Sequence, residues 1–157
     1  MKKIAVLFVC LGNICRSPAA EAIFLNLLEK KGLTDGFIVD SAGTGSWHVG
    51  KKADSRMRIA AKRRDINNLS RARQITCEDF EKFNYILAMD DSNFSNIQDL
   101  KNRTLSTDFS SIKKIQNFRS VFNETEVPDP YFGGDEGFDH VLDILEDSVS
   151  GFLQSIS

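Results

Sequence analysis

The chain has 157 residues, 20 basic and 22 acidic side chains and a formal net charge of −2, a length that suits one domain spanning 1–157. That near-neutral balance gives no general electrostatic case for a nucleic acid or a membrane surface as partner. Hydrophobic residues make up 41% and charged residues 27%, enough for a buried core, and three cysteines are too few and too odd a number for a disulfide framework.

Residues 4 to 10, IAVLFVC, are apolar on both faces, as a central parallel strand is. The basic start and apolar run imitate a short export signal, but Arg16 closes the run early and none is expected. Ser17 and Pro18 read as the N-cap and first residue of a helix that runs to about Gly32. FIVDSAG at 37–43 is a second strand, followed by the loop GTGSWHVG. Residues 54 to 64 read as a helix, and Thr76-Cys77-Glu78-Asp79 as another helix start with an acid in its first turn. YILAMD at 85–90 is a third strand, and KKIQNF at 113–118 is expected to be a fourth. The polar stretch 91–112 reads as one helix and a long loop. From about 135 onward Phe138, Val141, Leu142, Leu145, Val149, Phe152 and Ile156 keep helical spacing. The basic run RMRIAAKRRD at 56–65 reads as a solvated helix face. Strands alternating with helices predict a three-layer α/β fold with a parallel sheet, whose sites lie at the carboxyl ends of the strands.

Cys10 ends the first strand and is followed by LGNICRS. Gly12 and Asn13 tolerate the angles of a tight loop. Inward-pointing N–H groups of such a loop, at a helix N-terminus, form a nest for an anion. A thiol in that field ionises readily. Arg16 can place a two-pronged fork on phosphate oxygens, and the Ser17 hydroxyl can donate to the sulfur. These residues fit a phosphoryl-accepting nucleophile at Cys10; the alternative is a buried core cysteine followed by a turn and a capped helix with a surface arginine, which gives Gly12, Asn13, Arg16, Ser17 and Pro18 no joint reason. In VPDPYFGG at 127–134, Asp129 stands between two prolines and can protonate a leaving phenolate. Tyr131 beside it supplies an aromatic wall. No metal is expected, because His48 and His140 lack ligand spacing.

VCLGNICRSPAAEA, DSAGT, ARQI, YILAMD with Asn93 after it, and DPYFGG occur in this order and resemble the low-molecular-weight protein tyrosine phosphatases. The resemblance implies a four-stranded parallel sheet flanked by helices, with a phosphate-binding loop after the first strand. It implies hydrolysis of phosphotyrosine proteins through a phosphocysteine, with no cofactor. Carried onto this chain, it makes Cys10 the nucleophile, Arg16 the phosphate clamp and Asp129 the general acid and base. Leu11, Gly12, Asn13, Ile14, Cys15 and Ser17 form the phosphate loop, supported by Ser41 and Asp90. Trp47 and Tyr131 flank the substrate ring. Two positions depart from the pattern: Ser70 stands where many members have histidine, and Phe132 where many have a second tyrosine. Three alternatives stay open: an arsenate reductase, for which only Cys77 lies downstream of the loop; a protein-arginine phosphatase, which carries threonine in place of Ile14; and a phosphate-binding module without turnover. Free thiols predict a cytoplasmic location. Cys10 and Cys15 are expected to face each other across the loop, giving a disulfide under peroxide.

Overall fold

A computed structural model describes residues 2–68, 70–104 and 110–157. Four parallel strands, β1 (Ile4–Cys10), β2 (Phe37–Gly43), β3 (Tyr85–Ala88) and β4 (Ser111–Lys114), lie in the order β2-β1-β3-β4. Five helices accompany them: α1 (Arg16–Lys30), α2 (Ser55–Lys62), α3 (Asp79–Lys82), α4 (Asp91–Asn102) and α5 (Asp135–Ile156). The expected three-layer parallel architecture is the one observed.

Both faces of β1 are buried, which is why its sequence shows no polar alternation. Val6, Phe8 and Cys10 point toward α1 and α5, while Ala5, Leu7 and Val9 pack with Phe80, Phe83 and Ile97 on the other side. Phe24 of α1 joins the first face, with its ring 5.7 Å from Phe8 and 5.8 Å from Phe152. This period of two fixes the direction of the Cys10 side chain, toward the start of α1. Strand order reverses at β1, with β2 on one side and β3 on the other. Connections leave β1 and β3 in opposite senses there and open a crevice at their carboxyl ends.

Four expectations about elements need correction. Helix α1 begins at Arg16, with Cys15 in the N-cap position and no side-chain cap. Ser17 therefore lies inside the first turn, and Pro18 is tolerated because first-turn N–H groups lack helical partners anyway. The fourth strand is Ser111–Lys114, and Ile115–Phe118 is a 3₁₀ turn. Its ladder pairs Ser111 with Tyr85 and Lys114 with Ala88, so β4 stops where β3 stops. β3 itself ends at Ala88, and Asp90 is already the N-cap of α4. Much of the loop expected after α4 lies outside the described residues. α3 starts at Asp79, three residues after the expected start at Thr76, and Asp79 reaches back to the Thr76 N–H at 2.8 Å; of the remaining helices, α2 is capped by Asp54, which accepts from the Arg56 N–H at 2.9 Å.

Candidate active site

Residues 11 to 15 curl between β1 and α1 around the Cys10 sulfur. Asn13 takes the left-handed turn of this loop, with φ 58°. A short polar side chain can stand that angle when it is well bonded, and Asn13 is. Its Oδ1 accepts the Arg73 N–H at 3.0 Å, and its Nδ2 donates to Ser17 Oγ at 2.8 Å and to Ser41 Oγ at 3.0 Å. Gly12 has a different reason from the one expected. Its φ is not positive; a Cβ there would come within 3.0 Å of the His48 ring. Gly43, at the end of β2, is needed for close approach as well, since a Cβ would lie 2.7 Å from the Leu11 carbonyl.

Asn13 orients the two serine hydroxyls. Each accepts from Asn13, so each hydroxyl proton points away from it. Ser17 then has two acceptors, Cys10 Sγ at 3.0 Å and the Ala42 carbonyl at 3.4 Å, of which the sulfur is the nearer, while Ser41 donates to Glu21 at 2.6 Å. The Asn13 N–H adds a second donor to the sulfur at 3.3 Å. These are the hydrogen bonds that a thiolate accepts. Among the described residues, the N–H groups of Gly12, Ile14 and Cys15 donate to no protein group. They are the nest expected for an anion.

Arg16 is buried, and its Nη1 donates to Asp90 at 2.7 Å and to the Val127 carbonyl at 3.0 Å. Its Nε–Nη2 edge carries no protein hydrogen bond among the described residues; only Asp129 stands 3.9 Å from Nη2. Burial opposes the guanidinium charge, but Cys10, Asp90 and Asp129 outweigh it and raise the Arg16 pKa. Asp90 uses both oxygens, one on Arg16 and one capping α4 through the Asn93 N–H at 2.7 Å. One carboxylate thus both holds Arg16 and caps α4.

Asp129 is partly exposed and accepts the Tyr131 N–H at 3.1 Å. Together with Cys10, Leu11, Ile14, Cys15 and Arg16 it borders a cavity of about 220 Å³. Trp47 and Tyr131 line this cavity, as expected, and so do His48 and Phe132, which sequence reasoning did not assign to it. Phe132 is 94% exposed and sits edge-on to Tyr131 at 4.9 Å, so it extends the apolar rim of the cavity. Cys15 is buried, and burial, with the charge of Asp54 next, pushes its thiol pKa well up.

Two further residues join the loops and were not found from sequence. Arg56 forks onto Asp54 at 3.1 and 3.0 Å and donates to the Tyr131 carbonyl at 2.9 Å, while the Asp54 N–H donates to the Ile14 carbonyl at 2.8 Å. The segment Asp54–Arg56 therefore clamps the Asp129 loop to the phosphate loop. Glu21 is the second, at the far end of the Asn13–Ser41 chain. Its position four residues after Ser17 on α1 was the only sequence signal for it.

Asn13→Ala is expected to lower kcat about 10²-fold and stability by about 2 kcal/mol, from the lost bonds and the left-handed angle. Asn13→Gly accepts the angle but not the bonds. If it restores full activity, the side-chain network does not serve the sulfur.

The buried Cys10 thiol, the unfilled loop N–H groups around it, the open edge of Arg16 and the adjacent Asp129 carboxylate suit the site of a phosphatase. The profile of the low molecular weight phosphotyrosine protein phosphatase family matches residues 5–157, and the chain belongs to that family. The low molecular weight phosphotyrosine protein phosphatase of Schizosaccharomyces pombe is 43% identical, over 99% of each chain. A protein tyrosine phosphatase structure from Entamoeba histolytica, with Hepes in its active site, superposes with TM-score 0.92 at 44% identity, over 98% of this chain and 97% of that one. The Drosophila arginine phosphatase superposes equally well, with TM-score 0.92 at 35% identity over 100% of this chain and 98% of that one. Among the described residues no helix is long and apolar enough to cross a membrane, and no cluster of His, Cys, Asp or Glu is arranged to hold a metal.

Proposed function

We propose that residues 1–157 act as one domain that hydrolyses phosphotyrosine in proteins, in two steps at Cys10. The observation that carries this reading is the pairing of a doubly hydrogen-bonded sulfur with unfilled N–H donors and an unfilled Arg16 edge around one small volume. The Cys10 thiolate attacks phosphorus, the S–P bond forms and the P–O bond to the aryl group breaks. Asp129, protonated, gives its proton to the leaving phenolate. Then the Asp129 carboxylate takes a proton from water as that water attacks phosphorus. The S–P bond breaks, the electron pair returns to sulfur and the Ser17 hydroxyl stabilises the thiolate. The loop N–H groups and Arg16 hold the equatorial oxygens in both steps, where charge stabilisation supplies most of the rate.

The arginine phosphatase fold match leaves substrate class to the pocket. Ile14 borders it with an apolar side chain, beside Trp47, His48, Tyr131 and Phe132. That lining favours an aromatic ring over a guanidino leaving group, which needs a hydrogen-bonding wall. Phosphotyrosine peptides are therefore expected to exceed phosphoserine and phosphoarginine substrates in kcat/KM by at least about 10²-fold. EDTA should not change the rate. Better turnover of phosphoarginine would reassign the chain to the arginine-phosphatase branch.

Three free cysteines support a reducing, cytoplasmic location for this chemistry. Peroxide is expected to oxidise Cys10 to a sulfenic acid, and Cys15 to close a disulfide on it with loss of water. The raised pKa of buried Cys15 makes that closure slow at neutral pH.

A further inference from the structure

A second cavity of about 310 Å³ lies between α1 and the chain that carries Asn67, Asn68 and Ser70. Pro18, Ala22 and Leu25 provide apolar walls, and Glu21, Asn68 and Ser70 the polar ones. Its chemistry is incomplete. Glu21 has no cation within ion-pair distance among the described residues, and Arg73, whose charge reaches it, is engaged with Asp40 and Asp79. Burial raises the Glu21 pKa; the Ser41 hydroxyl works against this, and the neighbouring charge of Asp40 adds to it. Independently, Asn68 is 4% exposed, yet neither its side-chain oxygen nor its nitrogen has a hydrogen-bond partner among the described residues. Buried amides are normally paired. A carboxylate without a cation and an amide without a partner thus line the same cavity.

We propose that this cavity is an effector site for a small planar cation rich in N–H groups, of the amidinium or guanidinium class, coupled to Cys10 through Glu21. A planar fork matches a carboxylate and gives its remaining N–H groups to the Asn68 and Ser70 oxygens. Its weakly hydrated faces suit the walls of Pro18, Ala22 and Leu25, where a strongly hydrated ammonium does not. The coupling follows the bonds already described. A cation keeps Glu21 ionised and accepting from Ser41 at 2.6 Å. Ser41 then accepts from Asn13 at 3.0 Å, and Asn13 holds Ser17 at 2.8 Å with its proton on the sulfur. Protonated Glu21 can instead donate to Ser41, which loosens that order. Occupancy therefore raises turnover, most on the acidic side of the optimum, where a proton competes for Glu21.

Acetamidinium is the probe, with neutral acetamide as its isostere. Binding is read by calorimetry and by amide shifts of Ala22, Asn68 and Ser70 without substrate, so the result stands whatever the enzyme hydrolyses. Acetamidinium is expected to bind with or without phosphate present, to shift those amides, and to raise kcat on an aryl phosphate about fivefold. Glu21→Gln should weaken binding at least about tenfold. Leu25→Arg puts a guanidinium four residues after Glu21 on the same helix face; it should abolish acetamidinium binding and show the raised kcat without ligand. Equal binding of acetamide, unchanged affinity in Glu21→Gln or in Leu25→Arg, competition with phosphate, or no binding would each overturn the proposal. Binding without any change in kcat would overturn the coupling.

Discussion

Cys10→Ser is expected to lose turnover by about 10⁴-fold or more while still binding phosphate. A hydroxyl at this position is a neutral, weak nucleophile, and among the described residues no base is hydrogen-bonded to the Cys10 side chain. Ser17 and the Asn13 N–H, at 3.0 and 3.3 Å from the sulfur, both donate, so the loop is built to receive negative charge and not to create it. Binding depends on other groups. The N–H groups of Gly12, Ile14 and Cys15 and the open edge of Arg16 are untouched by the change. Vanadate or phosphate affinity should therefore stay within a few-fold of wild type. Loss of binding in step with turnover would mean that the loop had collapsed and that the kinetic result says nothing about the nucleophile.

Asp129→Ala should separate substrates by their leaving groups. Phenol has a pKa of about 10, so its departure needs a proton donor. The expected loss on phenyl phosphate is about 10³-fold. The far more acidic p-nitrophenol leaves with less help, so that substrate should lose at least about tenfold less in its first step. Arg56→Ala should show a weaker form of the same selectivity, because Arg56 anchors the Asp129 loop through the Tyr131 carbonyl at 2.9 Å. Equal losses on the two substrates in Asp129→Ala would assign the acid to another group.

The parts of this fold that run along the chain were legible in its sequence. β1 announced itself by seven apolar residues, and α5 by an unbroken helical stripe. The phosphate loop was legible because Cys10, Asn13, Arg16 and Ser17 are close in sequence and each has a chemical reason. What the sequence hid was contact made through space. Glu21 reads as an ordinary helix acid until Ser41 is seen to reach it from β2. His48 and Phe132 reached the cavity from two separate loops, and neither carries a spacing signal. The reading of Gly12 as a residue needed for its backbone angles missed that the constraint comes from the His48 ring. Ser17 looked like a cap because serine before proline usually is one; here its hydroxyl faces the sulfur and leaves α1 uncapped. β4 was placed two residues late because Ile115 and Gln116 are buried in a turn, and burial without periodicity looks the same in a strand.

The phosphocysteine itself is the most direct object to measure. Rapid acid quench during turnover of an aryl phosphate, followed by peptide mass spectrometry, should find one phosphoryl group on the peptide that carries Cys10 and none in Cys10→Ser. Asp129→Ala assayed with p-nitrophenyl phosphate should accumulate more of it, since the base for its hydrolysis is gone. A phosphoryl group on any other residue, or turnover in wild type with no phosphoenzyme at any quench time, would contradict nucleophilic attack by Cys10.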